Sequence, residues 1–416
     1  MSVQRLTSIT RRSGTTFWRH CQNKSHALPL WGRAFSLQDY FAVHLERLIF
    51  AGADNMHKLT ILFLIISLLA LGFANATLAQ EKWTCPEGFE GQTLRFFNWS
   101  TYVAENTIPD FEDACGVQVE YFEYGSNEEM LAVIRSNSAQ YDITVPSGNT
   151  VGIMIEEGLA QPLKKELIPN MVNIAETFAD PPYDPGNDYS VPYQWGTIAI
   201  GYDQNIVDEE ITSWEQVWDY DGPVAWLNDP RAMMGLALML IGHDPNSTDP
   251  DEIDEARQFL EDRSDNVDVI ADDNGQDLLN RGDVDITIEY SGDIFQLIYE
   301  CECDDFMYVI PEEGANVWTD NMVVPYNAPN PDLAMVFIDY ILDPQVGADL
   351  SNFTAYGTPN QASLDAGLID EELLSNPGIY PSEDVMDKLF FANKVPAEAE
   401  ETYLEAWSKL IAAMSE

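Results

Sequence analysis

Four short segments, far apart in the chain, set an aromatic ring beside a carboxylate or amide. They are Phe97-Asn98-Trp99-Ser100-Thr101-Tyr102, Trp226-Leu227-Asn228-Asp229-Pro230-Arg231, Ile288-Glu289-Tyr290-Ser291-Gly292-Asp293 and Val317-Trp318-Thr319-Asp320. Each falls where a strand is expected to give way to a loop or helix. Ring faces attract cations, and carboxylates hold them through charge-assisted hydrogen bonds, so the combination suits an organic ammonium ion. None of the four contains a nucleophile beside a base or a metal cage. Gly125-Ser126 and Ser291-Gly292 lack the Gly-x-Ser-x-Gly pattern, and His243 is the only histidine after residue 79, which leaves little room for a catalytic triad. Asp244, Asn246, Thr248, Glu252 and Glu255 fall near calcium-loop spacing, but Asp249 stands where such a loop needs glycine, and a capped helix start fits better. The residues read as a binder of small cations. No enzymatic activity, metal or cofactor is expected.

The first 79 residues read as separate from the working protein. Leu59 to Phe73 is an almost wholly apolar run preceded by His57 and Lys58 and followed by Ala74-Asn75-Ala76 and Thr77-Leu78-Ala79. That is the anatomy of a secretory signal peptide over 56–79, and the run is short for a membrane span of about 20 residues; the alternative is a signal anchor that stays attached. Met56 is the more natural start, so residues 1–55 read as a non-native upstream extension. Residues 1–79 hold eight of the 20 Lys/Arg and three of the 70 Asp/Glu, so the remaining 337 residues carry 12 basic against 67 acidic groups, a formal charge of −55. Nucleic acid and anionic membranes are poor partners for such a surface. Salt adaptation accounts for the bulk acidity, so only carboxylates beside aromatics count as signs of a site. With 45% hydrophobic and 11% aromatic residues the chain can still bury a core.

Four cysteines follow the leader: Cys85, Cys115, Cys301 and Cys303. An even number in an exported protein suggests disulfides, and three pairings are open. Cys301-Glu302-Cys303 reads as too tight for an easy bridge.

Strand-like runs alternate with helical ones. Thr93 to Trp99 reads as a strand, Ile108 to Cys115 as a helix stopped by Gly116, and Val117 to Tyr121 as a strand. Asn127 to Ser136 reads as a helix and Tyr141 to Ser147 as a third strand. This order argues for a mainly parallel sheet, with ligands beyond the carboxyl ends of its strands, where Ser100, Tyr102, Ser147 and Asn149 lie. A second unit has strands at 197–202, 224–227, 284–288 and 306–310, with helix starts marked by Ser213 and by Asp249-Pro250. No low-complexity tether separates the units, so the chain is expected to cross between them as strands.

From about residue 90 to its end, the chain resembles the periplasmic polyamine-binding proteins of ABC importers, the spermidine/putrescine-binding group. The resemblance runs in order through Phe97–Tyr102, Tyr141–Ser147, Tyr189–Gly196, Asn246–Pro250, Val317–Asp320 and Tyr356–Asn360. It implies an α/β, two-lobed periplasmic-binding-protein fold (type II), each lobe a mainly parallel sheet flanked by helices, with the ligand cleft between them. The implied lobes are 88–197 plus 319–362, and 198–318 plus 363–416. It further implies a periplasmic monomer that delivers its ligand to an inner-membrane ABC permease. Carried over by position, Trp99 and Tyr102 pack on the ligand, Ser100 lies beside them, and Ser147 is a polar pocket residue. Asp229 matches an ammonium-binding carboxylate, Tyr290 replaces a common Trp, and Asp293 matches an acid of putrescine-type members. Trp318 and Asp320 match the central ring and main ammonium anchor, and Tyr356 a pocket tyrosine. Thr101 and Ala232 stand where the better-studied members carry acids, which points to a smaller or less charged amine unless Glu128, Asp293 or Glu289 compensates. The alternative function is an exported amine-sensing receptor of the same fold.

Overall fold

Thr93–Asn98 buries Leu94, Phe96, Phe97 and Asn98 and exposes Arg95. A strand covered on both faces over most of its length belongs in a parallel sheet between helices. In the computed structural model, which describes residues 82–301 and 305–415, this strand (β1, Thr93–Asn98) pairs in parallel with β2 (Gln118–Glu123) and β3 (Ile143–Thr144). Helices Thr107–Cys115 and Asn127–Ser136 make the crossovers. Each ends at a left-handed residue, Gly116 (φ 64°) and Asn137 (φ 50°), which closes the last turn.

The remaining strands are β4 (Ser190–Asp203), β5 (Val224–Leu227), β6 (Val267–Ala271), β7 (Ile286–Tyr290), β8 (Phe306–Val309) and β9 (Asn316–Val323). Among the described residues the order is β2-β1-β3-β9-β4-β7-β5-β6, with β8 also on β4. Two parallel wings, β2-β1-β3 and β7-β5-β6, are therefore joined through antiparallel β9 and β4. β4 serves both sides: Ser190 to Ile198 pair with β9, then Ile198 to Tyr202 pair with β7. At about 3.3 Å per residue it runs roughly 45 Å, and it is buried almost throughout.

β9, β6 and the first half of β4 escape the sequence reading, and Val317–Asp320, expected where a strand gives way, lies inside β9. The first half of β4 contains Pro192 and Gly196, which resemble loop punctuation; here the register shifts between Pro192 and Gln194, a bulge that tolerates the missing N–H. β6 is five residues long and only Ala271 within it is fully buried. Conversely, β3 is shorter than the expected 141–147, because Pro146 lacks a donor and Ser147 already precedes the helix Gly148–Glu156. The calcium-like segment forms a helix start, with Asp249 accepting from the Asp251 N–H and Pro250 in the first turn. No helix among the described residues is long and apolar enough to cross a membrane. The extension and signal peptide expected over 1–79 lie outside the described residues.

Cys85 is bridged to Cys115 across 30 positions, pinning the segment before β1 to the end of the first helix. Cys301 is also disulfide-bonded. Closing a loop of that length in the unfolded chain costs it roughly 3–4 kcal/mol of entropy. The double variant Cys85→Ser/Cys115→Ser should therefore lower the unfolding free energy by about 2–4 kcal/mol in a urea titration; a loss under 1 kcal/mol would show that the bridge constrains little.

Candidate functional site

The loop Trp99–Tyr102 leaves β1 in a conformation its own residues do not favour: Thr101, β-branched, sits at φ 46°. Bonds from neighbouring strands hold it. Trp99 Nε1 donates to Val145 O at 2.8 Å, Tyr121 OH to Trp99 O at 2.8 Å, and Tyr193 OH to Tyr102 O at 2.6 Å. The rings of Trp99 and Tyr102 are thereby buried and aimed at the junction of the two wings.

β9 supplies the centre. Trp318 and Asp320 lie two residues apart on one strand and so share a face. Ser147 Oγ donates to Asp320 Oδ1 at 2.7 Å, and Ser147 is itself held by Asn127, whose Oδ1 accepts from the Ser147 N–H. Tyr356 follows a left-handed turn at Ala355 (φ 57°) and packs against Trp318 at 5.0 Å and Tyr102 at 5.3 Å between ring centroids. Tyr290 ends β7 and meets Trp318 at 5.9 Å and Trp99 at 6.5 Å. Two glycines make this approach possible. A Cβ on Gly196 would lie 2.8 Å from Trp318, and one on Gly292 2.5 Å from Tyr356.

Nine of the ten expected site residues line one cavity: Trp99, Ser100, Tyr102, Ser147, Tyr290, Asp293, Trp318, Asp320 and Tyr356. Asp229 lines an adjoining cavity, together with Ala232, Asn149 and Arg231, that shares Ser147, Tyr290 and Trp318 with the first. Its carboxylate caps the helix Pro230–Leu240 by accepting from the Ala232 N–H at 2.9 Å. Asp293 is not a cap: it lies buried in the first turn of the helix Ser291–Cys301. Of the residues that could replace the missing acids, Glu128 is exposed and outside the first cavity. Glu289 is buried but faces away from Tyr290, as strand alternation requires. The residue that sequence reasoning missed is Asp273, in the loop after β6, which lines the first cavity and accepts from Ser100 Oγ at 2.7 Å. Its local signal, an acid just beyond a strand, was hidden because β6 was not recognised.

Three carboxylates thus share a ring-walled cavity, and none is in an ion pair among the described residues. Burial drives each upward. Asp320 rises to about 7, chiefly by desolvation, with Ser147 and Tyr102 pulling it down and Asp273 and Asp229 pushing it up. Asp273 rises to about 6, again by desolvation, which its bond to Ser100 partly offsets. Asp293 is held well above the carboxylate range by desolvation and then by Asp273, against the hydroxyls of Tyr356 and Thr101. Such a cluster is short of positive charge. No group of His, Cys, Asp and Glu among the described residues is arranged to hold a metal. Trp318 Nε1 is buried without a hydrogen-bond partner among the described residues.

The chain's relatives carry the same architecture. A family model described as bacterial extracellular solute-binding protein matches residues 106–379. The spermidine/putrescine-binding periplasmic protein of Salmonella typhimurium is 32% identical over 77% of this chain and 92% of its own length. The putrescine-binding periplasmic protein of Pseudomonas aeruginosa is 30% identical over 80% and 96% respectively. The structure of a spermidine/putrescine ABC transporter substrate-binding protein from Streptococcus pneumoniae superposes with a TM-score of 0.66 at 30% identity, covering 78% of this chain and 100% of that one. The two wings on crossing strands, the ring-walled cavity between them and a match over most of the chain agree: this protein belongs to the bacterial extracellular solute-binding proteins and is not an enzyme.

Proposed function

We propose that this protein captures a polyamine or related small organic amine outside the cytoplasmic membrane and hands it to an ABC importer's permease. The observation that carries the reading is the cavity itself, in which five aromatic rings surround three carboxylates that lack a protein cation. Burying carboxylates without partners is costly, and an ammonium ion removes that cost while its alkyl chain packs on the rings. Asp320 takes one ammonium, Ser147 orients that carboxylate, and Trp99, Tyr102, Tyr290, Trp318 and Tyr356 enclose the chain. Asp229 contributes from the neighbouring cavity as a longer-range charge. We take the lobes as 88–197 plus 319–362, and 198–318 plus 363–416, hinged where β4 and β9 cross. Relatives named as periplasmic proteins support the location, and the neighbour named as an ABC transporter's substrate-binding protein supports a permease as partner.

A thermal-shift panel tests this directly. Putrescine, cadaverine and spermidine at 100 times their dissociation constants should each add about 2.7 kcal/mol of stability, whereas amino acids and sugars should not. A panel in which a sugar or an anionic solute stabilises and no amine does would refute the reading.

A further inference from the structure

We propose that Glu400, on the C-terminal helix Ala397–Met414, determines specificity without touching the ligand. It cancels the charge of Arg231, the one cation lining either cavity among the described residues, and so keeps the site selective for amines over amino acids. The inference rests on reading the site as an amine binder, and goes beyond it by assigning what excludes a carboxylate-bearing amine.

Arg231 follows Asp229 by two positions, in the first turn of the helix Pro230–Leu240, and is only 3% exposed. A guanidinium stays charged at every working pH, so a bare one at this wall would repel an ammonium and attract a carboxylate. Glu400 answers it: its Oε2 lies 2.7 Å from Arg231 Nη1, and Glu400 itself lines neither cavity. Neutral groups hold the rest of the guanidinium. Nη2 donates to Asn246 Oδ1 at 3.1 Å and to Asn393 O at 3.0 Å, and Cζ lies 4.4 Å from the centre of the Tyr403 ring. Glu400, Tyr403 and Trp407 stand three and four residues apart, so they share one helix face. Trp407 Nε1 donates to Asn228 Oδ1 at 2.9 Å. One face of the helix thus grips the chain on both sides of Asp229, at Asn228 and at Arg231.

Both charges are felt at the cavity wall. Burial raises the Asp229 carboxyl, the Ala232 N–H and Arg231 draw it back, and Glu400 pushes it up. The acids lining the two cavities are Asp273, Asp293 and Asp320, then Asp180 and Asp229, so with Arg231 neutralised the remaining formal charge at the walls is negative. At an effective dielectric near 20, a unit charge about 8–10 Å from an ammonium alters its binding roughly 15- to 35-fold. Glu400 therefore needs no contact with the ligand to set its selectivity.

Calorimetry with putrescine and with 4-aminobutanoate, in which a carboxylate replaces one ammonium end, tests the assignment on the purified protein and its variants. Glu400→Gln keeps an acceptor for Arg231 and removes the opposing charge. It should weaken putrescine 10- to 30-fold and let 4-aminobutanoate bind at millimolar concentration, where the parent does not bind it. Arg231→Met breaks the same ion pair from its other end and should tighten putrescine two- to tenfold. The double variant should return putrescine to within threefold of the parent. Opposite signs in the two single variants separate a charge effect from the loss of a structural tie, which would weaken binding in both. Any other pattern, whether losses in both or no change in either, would overturn the proposal. If Glu400→Gln does not fold, weaker putrescine binding in Arg231→Met overturns it and tighter binding upholds it. Should the parent bind no amine, the amine reading falls and this inference with it. Should it bind putrescine while both single variants lose affinity, only this inference falls.

Discussion

Asp320→Asn is expected to weaken diamine binding by roughly two to three powers of ten. The substitution keeps the shape of the side chain and a hydrogen bond with Ser147, and removes only the charge. Asp320 is buried, so an ammonium seated against it would exchange water for a carboxylate in a low-dielectric site. Taking one partner from such a pair costs about 3–5 kcal/mol, because the other charge is left without compensation. At about 1.4 kcal/mol per tenfold, that loss gives the stated range. Stability should move the other way. Burial penalises the ionised carboxylate, so the ligand-free variant should melt at the same temperature as the parent or higher. Calorimetry with putrescine at fixed ionic strength, paired with ligand-free melting curves, reads both effects. An affinity within threefold of the parent would show that Asp320 is not the anchor.

Diamine affinity should rise steeply with pH between about 5.5 and 8. Asp320, raised to about 7, and Asp273, raised to about 6, are partly protonated in that window, and a neutral carboxyl cannot neutralise an ammonium. Binding therefore expels protons, which calorimetry in buffers of different ionisation enthalpy would detect. The sign for the ligand-free protein is opposite. From about pH 4, where unfolded carboxyls titrate, up to about 7, the native state holds protons the unfolded chain has lost, so stability falls as pH rises. The groups that bear on Asp320 are Ser147, Tyr102, Asp273 and Asp229, none of them a cation. The stabilisation produced by putrescine should consequently be larger at pH 8 than at pH 5.5. Much of this dependence should vanish in Asp320→Asn, which separates the site from the repulsion of a strongly acidic surface. A ligand-induced stabilisation that is flat across this range in the parent would contradict the buried-acid account.

What could be read from residues alone was whatever is decided within a few positions. The helix Asn127–Ser136, the left-handed stop at Gly116 and the capping box at Ser213 and Gln216 all rest on bonds spanning four residues or fewer, and each stands where local chemistry puts it. Trp318 and Asp320 stand out in the sequence as a ring beside an acid, but that they share one face of a strand follows only from β9. Where local cues compete, sequence reading falters. Pro192 and Gly196 look like loop residues, yet lie in β4 because the ladder with β9 pairs the chain on either side of a bulge. Asn228-Asp229-Pro230 is at once a helix start and an acid near a site, and both descriptions hold of the same carboxylate. Asp273 is the clearest limit. Among 67 acids in the chain beyond residue 79, nothing within ten residues distinguishes Asp272 from Asp273. Only the pairing of β6 beside β5, and the closing of one wing on the other, bring it within 2.7 Å of a serine 173 positions away. Local chemistry therefore determined which rings and acids could hold an amine, while the tertiary structure decided which acids meet them, because that choice depends on contacts between segments distant in sequence.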